Sequence, residues 1–266
     1  MKHLFQAWKE CAPEIKSAVH VLLLSDYDGT LTPIVSRPEE ALLSTQVEEK
    51  LRSLTQNPAY SVGIISGRSM EDLKQMVDIE GIYYAGNHGL EIEGPDLKHT
   101  SETARAAQSL MKRLATEMAA ALKNAGGVII EDKGLSLSVH YRLVSPEEEY
   151  TVADIFRKLT RPLLEDGKIK VTSGKKVFEV RPPIDWHKGK AVETIIREIK
   201  AALDLEKILT LYLGDDTTDE DAFRVLHLPE SWSVFVGGDN PLSAAEYYLD
   251  STSEVEELLS RLIEMK

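Results

Sequence analysis

Residues 26–30 read DYDGT, so Asp26 and Asp28 stand one residue apart directly after the apolar run HVLLLS. In an extended segment, residues i and i+2 face the same side, and both carboxylates can address one point. Two carboxylates at one phosphorus can divide the hydrolysis of a phosphate ester. One attacks as a nucleophile; the other, held protonated, gives its proton to the departing alkoxide. Gly29 lets the chain turn back tightly, so that backbone N–H groups can point at phosphate oxygens.

Three further polar clusters suit the same chemistry: SGR at 66–68, HKG at 187–189 and GDDTTDED at 214–221. Asp26 and Asp28 together with Asp215, Asp216 and Asp219 gather negative charge that repels itself unless a cation neutralises it. Ligands that are all oxygen favour a hard divalent ion, and Mg²⁺ retaining several waters is expected. Such an ion also lets an acidic site accept a phosphate dianion. Ser66 can donate its hydroxyl to a phosphate oxygen, with Gly67 keeping the approach open. Lys188 stands at the start of a helix, whose positive end suits an anion, and can pair with both the nucleophilic carboxylate and the phosphoryl oxygens.

These clusters need elements that bring them together. Apolar, strand-like runs occur at 20–25, 60–65, 82–85, 208–213 and 233–236, with helical patterns between most of them. Val47, Leu51 and Leu54 form one stripe, Met70, Leu73 and Val77 another, and Val192, Ile195, Ile196 and Ile199 a third. Alternating strands and helices indicate a parallel sheet covered on both faces. DYDGT, SGR and GDD each follow a strand, where ligands bind in open parallel sheets.

Between about 97 and 182 the pattern changes. A helical stretch over 101–124 precedes GGVIIED and LSLSVHYR, then a helix from SPEEE precedes KIKVTS and KVFEVR. Period-two alternation predicts antiparallel strands with one wet face. The chain thus reads as an α/β core over 1–96 and 183–266 with an inserted α+β lobe over 97–182.

The 266 residues, with 42% hydrophobic and 28% charged, suffice for one or two packed cores. A formal charge of −13 argues against nucleic-acid and anionic-membrane partners. With Cys11 as the one cysteine, no intrachain disulfide can form, which fits a reducing compartment or is neutral about it. No run approaches the ~18 apolar residues of a membrane span, and the N-terminus lacks an apolar stretch of signal-peptide length. A cytoplasmic monomer acting on a small molecule is the resulting expectation.

At the quoted motifs the chain resembles the haloacid dehalogenase (HAD) superfamily of phosphatases, in the branch with an inserted α/β cap. Within that branch DYDGTLTPIV, ISGRS, YAGNHGLEI, KVFEVRP and YLGDDTTDEDAF look like the trehalose-6-phosphate phosphatase family. The resemblance implies a HAD-like three-layer Rossmannoid core and Mg²⁺-dependent hydrolysis of trehalose 6-phosphate. It implies Asp26 as the nucleophile that becomes an aspartyl-phosphate and Asp28 as general acid and then base. Asp215 would be a Mg²⁺ ligand beside the Asp26 side chain and the Asp28 carbonyl, with Asp219 an outer-shell or alternate ligand and Asp216 the rival to Asp215. Sugar contacts would come from Glu131, Lys133, Arg142, Lys175 and Glu179 through charge-assisted hydrogen bonds, with Arg68 and His88 near the cleft.

Other readings remain at this point. Sucrose-phosphate, glucosylglycerol-phosphate and mannosyl-phosphoglycerate phosphatases differ chiefly in the cap. A phosphoglycerate ester would want more cations than the mixed Glu131, Lys133 and Glu179 set offers. A non-catalytic regulatory lobe would be expected to lack Asp26, Asp28 or Asp215.

Overall fold

The computed structural model describes residues 1–174, 176–227 and 230–266. They form two compact units, Met1–His99 with Trp186–Lys266, and Thr100–Asp185. In the first unit the chain runs β1 (Lys2–His3), α1 (Trp8–Ser17), β2 (Val21–Ser25), α2 (Thr45–Gln56), β3 (Tyr60–Ile65), α3 (Met70–Val77), β4 (Tyr83–Gly86), β5 (Glu91–Gly94) and β6 (Leu97–Thr100). The second unit holds α4 (Glu102–Leu122), β7 (Ile129–Asp132), β8 (Leu137–His140), α5 (Glu149–Glu165), β9 (Lys170–Gly174) and β10 (Val177–Arg181). The chain then returns through α6 (Lys188–Leu203), β11 (Leu209–Gly214), α7 (Glu220–Val225), β12 (Ser231–Val236), β13 (Tyr247–Leu249) and α8 (Thr252–Met265).

The first unit is built on one sheet of order β1-β13-β12-β11-β2-β3-β4-β5-β6. From β1 to β4 every pairing is parallel, and β5 turns antiparallel to β4. Period two in the strands divides the core between the two faces. Val21 and Leu23 of β2 pack with Val47 and Leu51 of α2, Leu73 of α3, Ile15 of α1 and Leu258 of α8. Leu22 and Leu24 point the other way, to Val192, Ile195 and Ile199 of α6 and Phe223 of α7. Ser44 and Ser69 cap α2 and α3, each accepting a backbone N–H of the first turn.

The sequence pattern puts the start of the inserted lobe at residue 97, yet Leu97–Thr100 is an edge strand beside β5. Its mixed residues, LKHT, carry no apolar run or alternation that marks a strand. The compact units accordingly part at 99/100 and 185/186.

The second unit has its own core. Its sheet, β7-β8-β10-β9, is antiparallel throughout. Leu137, Val139 and Val180 on one sheet face pack with Met111, Leu114 and Met118 of α4 and Val152 and Phe156 of α5. The opposite face carries the row Glu131, Ser138, Glu179 and Thr172, aligned across the strands by register. Among the described residues no helix is long and apolar enough to cross a membrane.

Candidate active site

β11, β2 and β3 are neighbours in the sheet, so Asp215, Asp26 and Ser66 leave it side by side at its carboxyl edge. The order of strands reverses about β2, the kind of point where such sheets bind ligands. The Asp26 N–H donates to the Leu213 carbonyl at 2.8 Å, extending the β2–β11 ladder by one residue. Beyond it the chain closes into a tight loop: Leu31 and Thr32 N–H both donate to the Tyr27 carbonyl, and Gly29 N–H to the Thr32 carbonyl. Gly29 has φ +84°, and a Cβ there would collide with the Asp215 carboxylate. Thr30 Oγ1 donates to Asp215 Oδ1 at 3.1 Å, fastening this loop to the acidic loop.

Lys188, the first residue of α6, is 1% exposed, and its Nζ lies 2.7 Å from both Asp26 Oδ2 and Asp219 Oδ1. Burial opposes its charge, yet Asp219 and Asp26 outweigh that and hold its pKa above the ordinary lysine value. Asp219 is fully buried and accepts four donors. Tyr212 OH (2.6 Å) joins Lys188 at Oδ1, and the backbone N–H groups of Asp215 (3.1 Å) and Asp216 (3.0 Å) meet Oδ2.

Asp26 has its pKa driven well above the usual carboxylate range by burial, against the pull of Lys188 and with added repulsion from Asp219 and Asp215. Burial and the Asp219 charge push Asp215 up to about 7. Carboxylates so crowded favour a cation between them. Asp26, Asp215 and Asp219 each bring an oxygen within 4.8 Å of the others' oxygens. The three-way grouping is not three equivalent ligands, because both Asp219 oxygens are already taken by donors. Asp219, expected as an outer-shell or alternate ligand, anchors Lys188 and the acidic loop through these bonds. Asp216 is exposed, with Oδ1 accepting Thr217 Oγ1 at 2.9 Å, whereas Asp215 faces Asp26, so Asp215 is the fitting ligand of the two.

Asp28 meets Arg68 in a two-point ion pair, Nε to Oδ2 at 2.7 Å and Nη2 to Oδ1 at 2.6 Å. Nη2 also donates to the Pro38 carbonyl at 2.8 Å. Arg68 was expected near substrate; the structure buries it and aims its planar fork at Asp28, a geometry suited to carboxylates. Ser66 is buried, and its Oγ accepts the Arg68 N–H at 3.2 Å, which leaves the hydroxyl proton for a donor role. His88 N–H donates to the Ser66 carbonyl at 2.8 Å, and Asn87 N–H to the Arg68 carbonyl at 2.7 Å. Both residues take positive φ, 57° and 51°, and the His88 ring fills the space a Cβ on Gly67 would need. Such strain is held in place by the straps to the SGR loop.

Within the second unit, Lys133 Nζ lies 3.7 Å from Glu131 and 3.8 Å from Glu179, between the two carboxylates. His140 Nε2 is 2.8 Å from Glu131 Oε2, and Arg181 pairs with Glu179. Arg142 follows β8 and is exposed, and Lys175 lies outside the described residues.

Sequence reasoning missed Tyr212, Thr30 and His140. Tyr212 sits in an apolar strand run, and its one signal is a hydroxyl carried into the core next to GDD. His140 alternates with apolar residues on a strand already identified, and its face was the available clue. A separate cluster of His3, Asp250 and Glu254 has metal-ligand residue types. However, His3 Nδ1 accepts the Phe5 N–H at 3.3 Å, so Nε2 carries the proton that bonds Glu254 at 3.1 Å, an internal network.

Comparison with known proteins follows the same residues. A family model described as trehalose-phosphatase matches residues 24–253. A probable trehalose-phosphate phosphatase D of Arabidopsis thaliana is 33% identical over 263 residues, 95% of this chain and 70% of that protein. The C-terminal domain of a C. albicans trehalose-6-phosphate phosphatase superposes with a TM-score of 0.79 at 26% identity, covering 97% of both chains. A haloacid dehalogenase-like hydrolase from Bacteroides thetaiotaomicron shares the fold alone, with a TM-score of 0.62 at 14% identity over 91% of this chain and 99% of that one.

Proposed function

This chain belongs to the trehalose-phosphatase family, with a HAD-like α/β core, and from that we propose that it hydrolyses trehalose 6-phosphate to trehalose and phosphate through an aspartyl-phosphate on Asp26. The observation that carries the reading is the buried chain Asp26–Lys188–Asp219, set beside Asp215 and the Arg68-bound Asp28. One Asp26 oxygen is held by Lys188 and the other by the Tyr27 N–H, an arrangement that fixes the carboxylate for in-line approach to phosphorus.

Asp26 attacks the phosphorus, the P–O bond to the sugar breaks, and Asp28, which takes up a proton on leaving the Arg68 ion pair, gives that proton to the departing sugar oxygen. Water then attacks the aspartyl-phosphate, with Asp28 taking the proton, and Asp26 is released with inorganic phosphate. Lys188 and Ser66 stabilise the negative charge on the phosphoryl oxygens. Asp26 and Asp215, with the Asp28 backbone carbonyl, are the groups that would hold Mg²⁺. When bound, that ion neutralises the acidic site so that a phosphate dianion can enter.

The second unit, Thr100–Asp185, serves in this reading as the cap that selects the sugar, through Glu131, Lys133 and Glu179 with Arg142 and Lys175. His88 would lie near the ligand. The substrate is a small sugar phosphate, taken by a monomer. The single cysteine fits a reducing cytoplasm.

The test is phosphate release from a panel of sugar phosphates, with and without EDTA. Turnover of trehalose 6-phosphate above the other esters, abolished by EDTA and restored by Mg²⁺, is expected. Activity on sucrose 6-phosphate alone would overturn the substrate. Activity unaffected by EDTA would overturn the metal.

A further inference from the structure

The wet face of the β7-β8-β10-β9 sheet is organised around Ser138. Register sets Glu131 of β7 and Glu179 of β10 directly opposite Ser138 of β8, one on each side. Ser138 is 2% exposed, although it lies on the face away from the helices. Two carboxylates flanking a covered hydroxyl make an acceptor-rich face, and Lys133 Nζ sits between the carboxylates at 3.7 and 3.8 Å. This is the donor and acceptor mixture that polyhydroxylated ligands require.

His140 belongs to the same face. It follows Ser138 by two residues on β8, and opposes Ile129 of β7 and Val177 of β10. Its Nε2 lies 2.8 Å from Glu131 Oε2, the same oxygen that Lys133 approaches at 3.7 Å. A glutamate turns about three side-chain torsions, and losing that freedom on binding ligand is costly. An imidazole on a rigid strand has two, and a bond from it holds the carboxylate before any ligand arrives. On the opposite side of Ser138, Arg181 holds Glu179 in the same manner from two residues along its own strand.

Resting on the sugar-phosphate reading above, we propose that His140 is a positioning residue for substrate recognition. Its Nε2–H keeps the Glu131 carboxylate oriented to accept hydroxyl groups of the sugar, and it takes no part in phosphorus chemistry. The role therefore belongs to affinity for the sugar, with the phosphoryl-transfer step untouched.

Steady-state kinetics of H140A, H140Q and E131Q on trehalose 6-phosphate and on p-nitrophenyl phosphate, which has no sugar, test this. H140A is expected to raise KM for trehalose 6-phosphate about tenfold, the worth of one charge-assisted contact, with kcat within about twofold. H140Q, whose amide N–H can still reach Glu131, is expected to recover most of the loss. In E131Q the further change to H140A is expected to add little, because the partner carboxylate is gone. Turnover of p-nitrophenyl phosphate by H140A and H140Q is expected to be unchanged, reporting an intact catalytic site.

An unchanged KM in H140A, or an equal rise for both substrates, overturns the inference. If H140A is insoluble, His140→Asn, too short to reach Glu131, takes its place with the same expectations. A wild-type chain that ignores trehalose 6-phosphate but hydrolyses another sugar phosphate overturns the substrate. The His140 comparison on that ester then decides the positioning role separately.

Discussion

The Arg68 guanidinium grips both oxygens of Asp28, at 2.7 and 2.6 Å, while its second Nη2 bond holds the Pro38 carbonyl. The residue assigned the proton transfers is thus oriented by a buried cation forty residues away in sequence. Arg68→Lys keeps the charge but cannot form the planar two-point bond. The expected outcome is a fall in kcat of about 10–100-fold on a sugar phosphate, part of the ~10²–10⁴ that general acid–base catalysis contributes. The aryl ester p-nitrophenyl phosphate needs little leaving-group protonation, so its loss is expected to be smaller in single-turnover measurements of the first step. Equal losses on both esters would remove Asp28 orientation as the cause.

Asp26→Asn preserves shape and removes the proposed nucleophile. Activity is expected to fall by at least about a thousandfold, as for other nucleophile deletions. Acid-quench labelling with a ³²P-labelled substrate is expected to trap phosphoprotein in the parent and none in the variant. Trapping in the variant would move the nucleophile elsewhere.

Asp219 supports the site without touching phosphorus. Asp219→Asn leaves the fully buried Lys188 with Asp26 as its one remaining ion-pair partner, and disturbs the acceptor for the Asp215 and Asp216 N–H groups. Breaking a buried pair in this way costs about 3–5 kcal/mol. Tyr212→Phe removes one of the four donors and is expected to cost about 1 kcal/mol. Urea midpoints at constant m-value are the measure, and the order Asp219→Asn well below Tyr212→Phe is the outcome to check.

Metal binding is expected to depend on pH through Asp215, whose pKa burial and Asp219 raise to about 7. A raised carboxyl pKa means that the folded, metal-free chain holds its proton more tightly than the unfolded chain. Its stabilising contribution is present below the ordinary aspartate range and is lost as pH rises through about 7. Mg²⁺ needs the carboxylate ionised, so affinity runs the opposite way. It is expected to weaken by up to about tenfold per unit as pH falls below 7, with proton release on binding. Calorimetry in buffers of different ionisation enthalpy reads that proton directly, and a buffer-independent heat at pH 6 would contradict it.

The sequence alone determined the strands that end in DYDGT, SGR and GDD, because buried parallel strands must be continuous apolar runs and polar clusters after them have few other uses. It also determined the oxygen-only character of the acidic cluster and the interruption of the α/β pattern by an antiparallel lobe. It did not reveal the edge strand Leu97–Thr100, whose mixed residues lack the apolar alternation of a covered strand.

Tertiary structure decided partnership. Arg68 could cap a helix, reach substrate or hold Asp28, and its spacing is compatible with each until the order β11-β2-β3 sets it beside that carboxylate. Asp219 and Asp215 are both aspartates of one short loop, and what distinguishes Asp219 is the donors that meet its oxygens. Those donors, Lys188 and Tyr212, arrive from a helix and a strand. Sequence states which groups are present and how they are spaced locally; through-space hydrogen bonds between distant groups exist only once the sheet has chosen its neighbours.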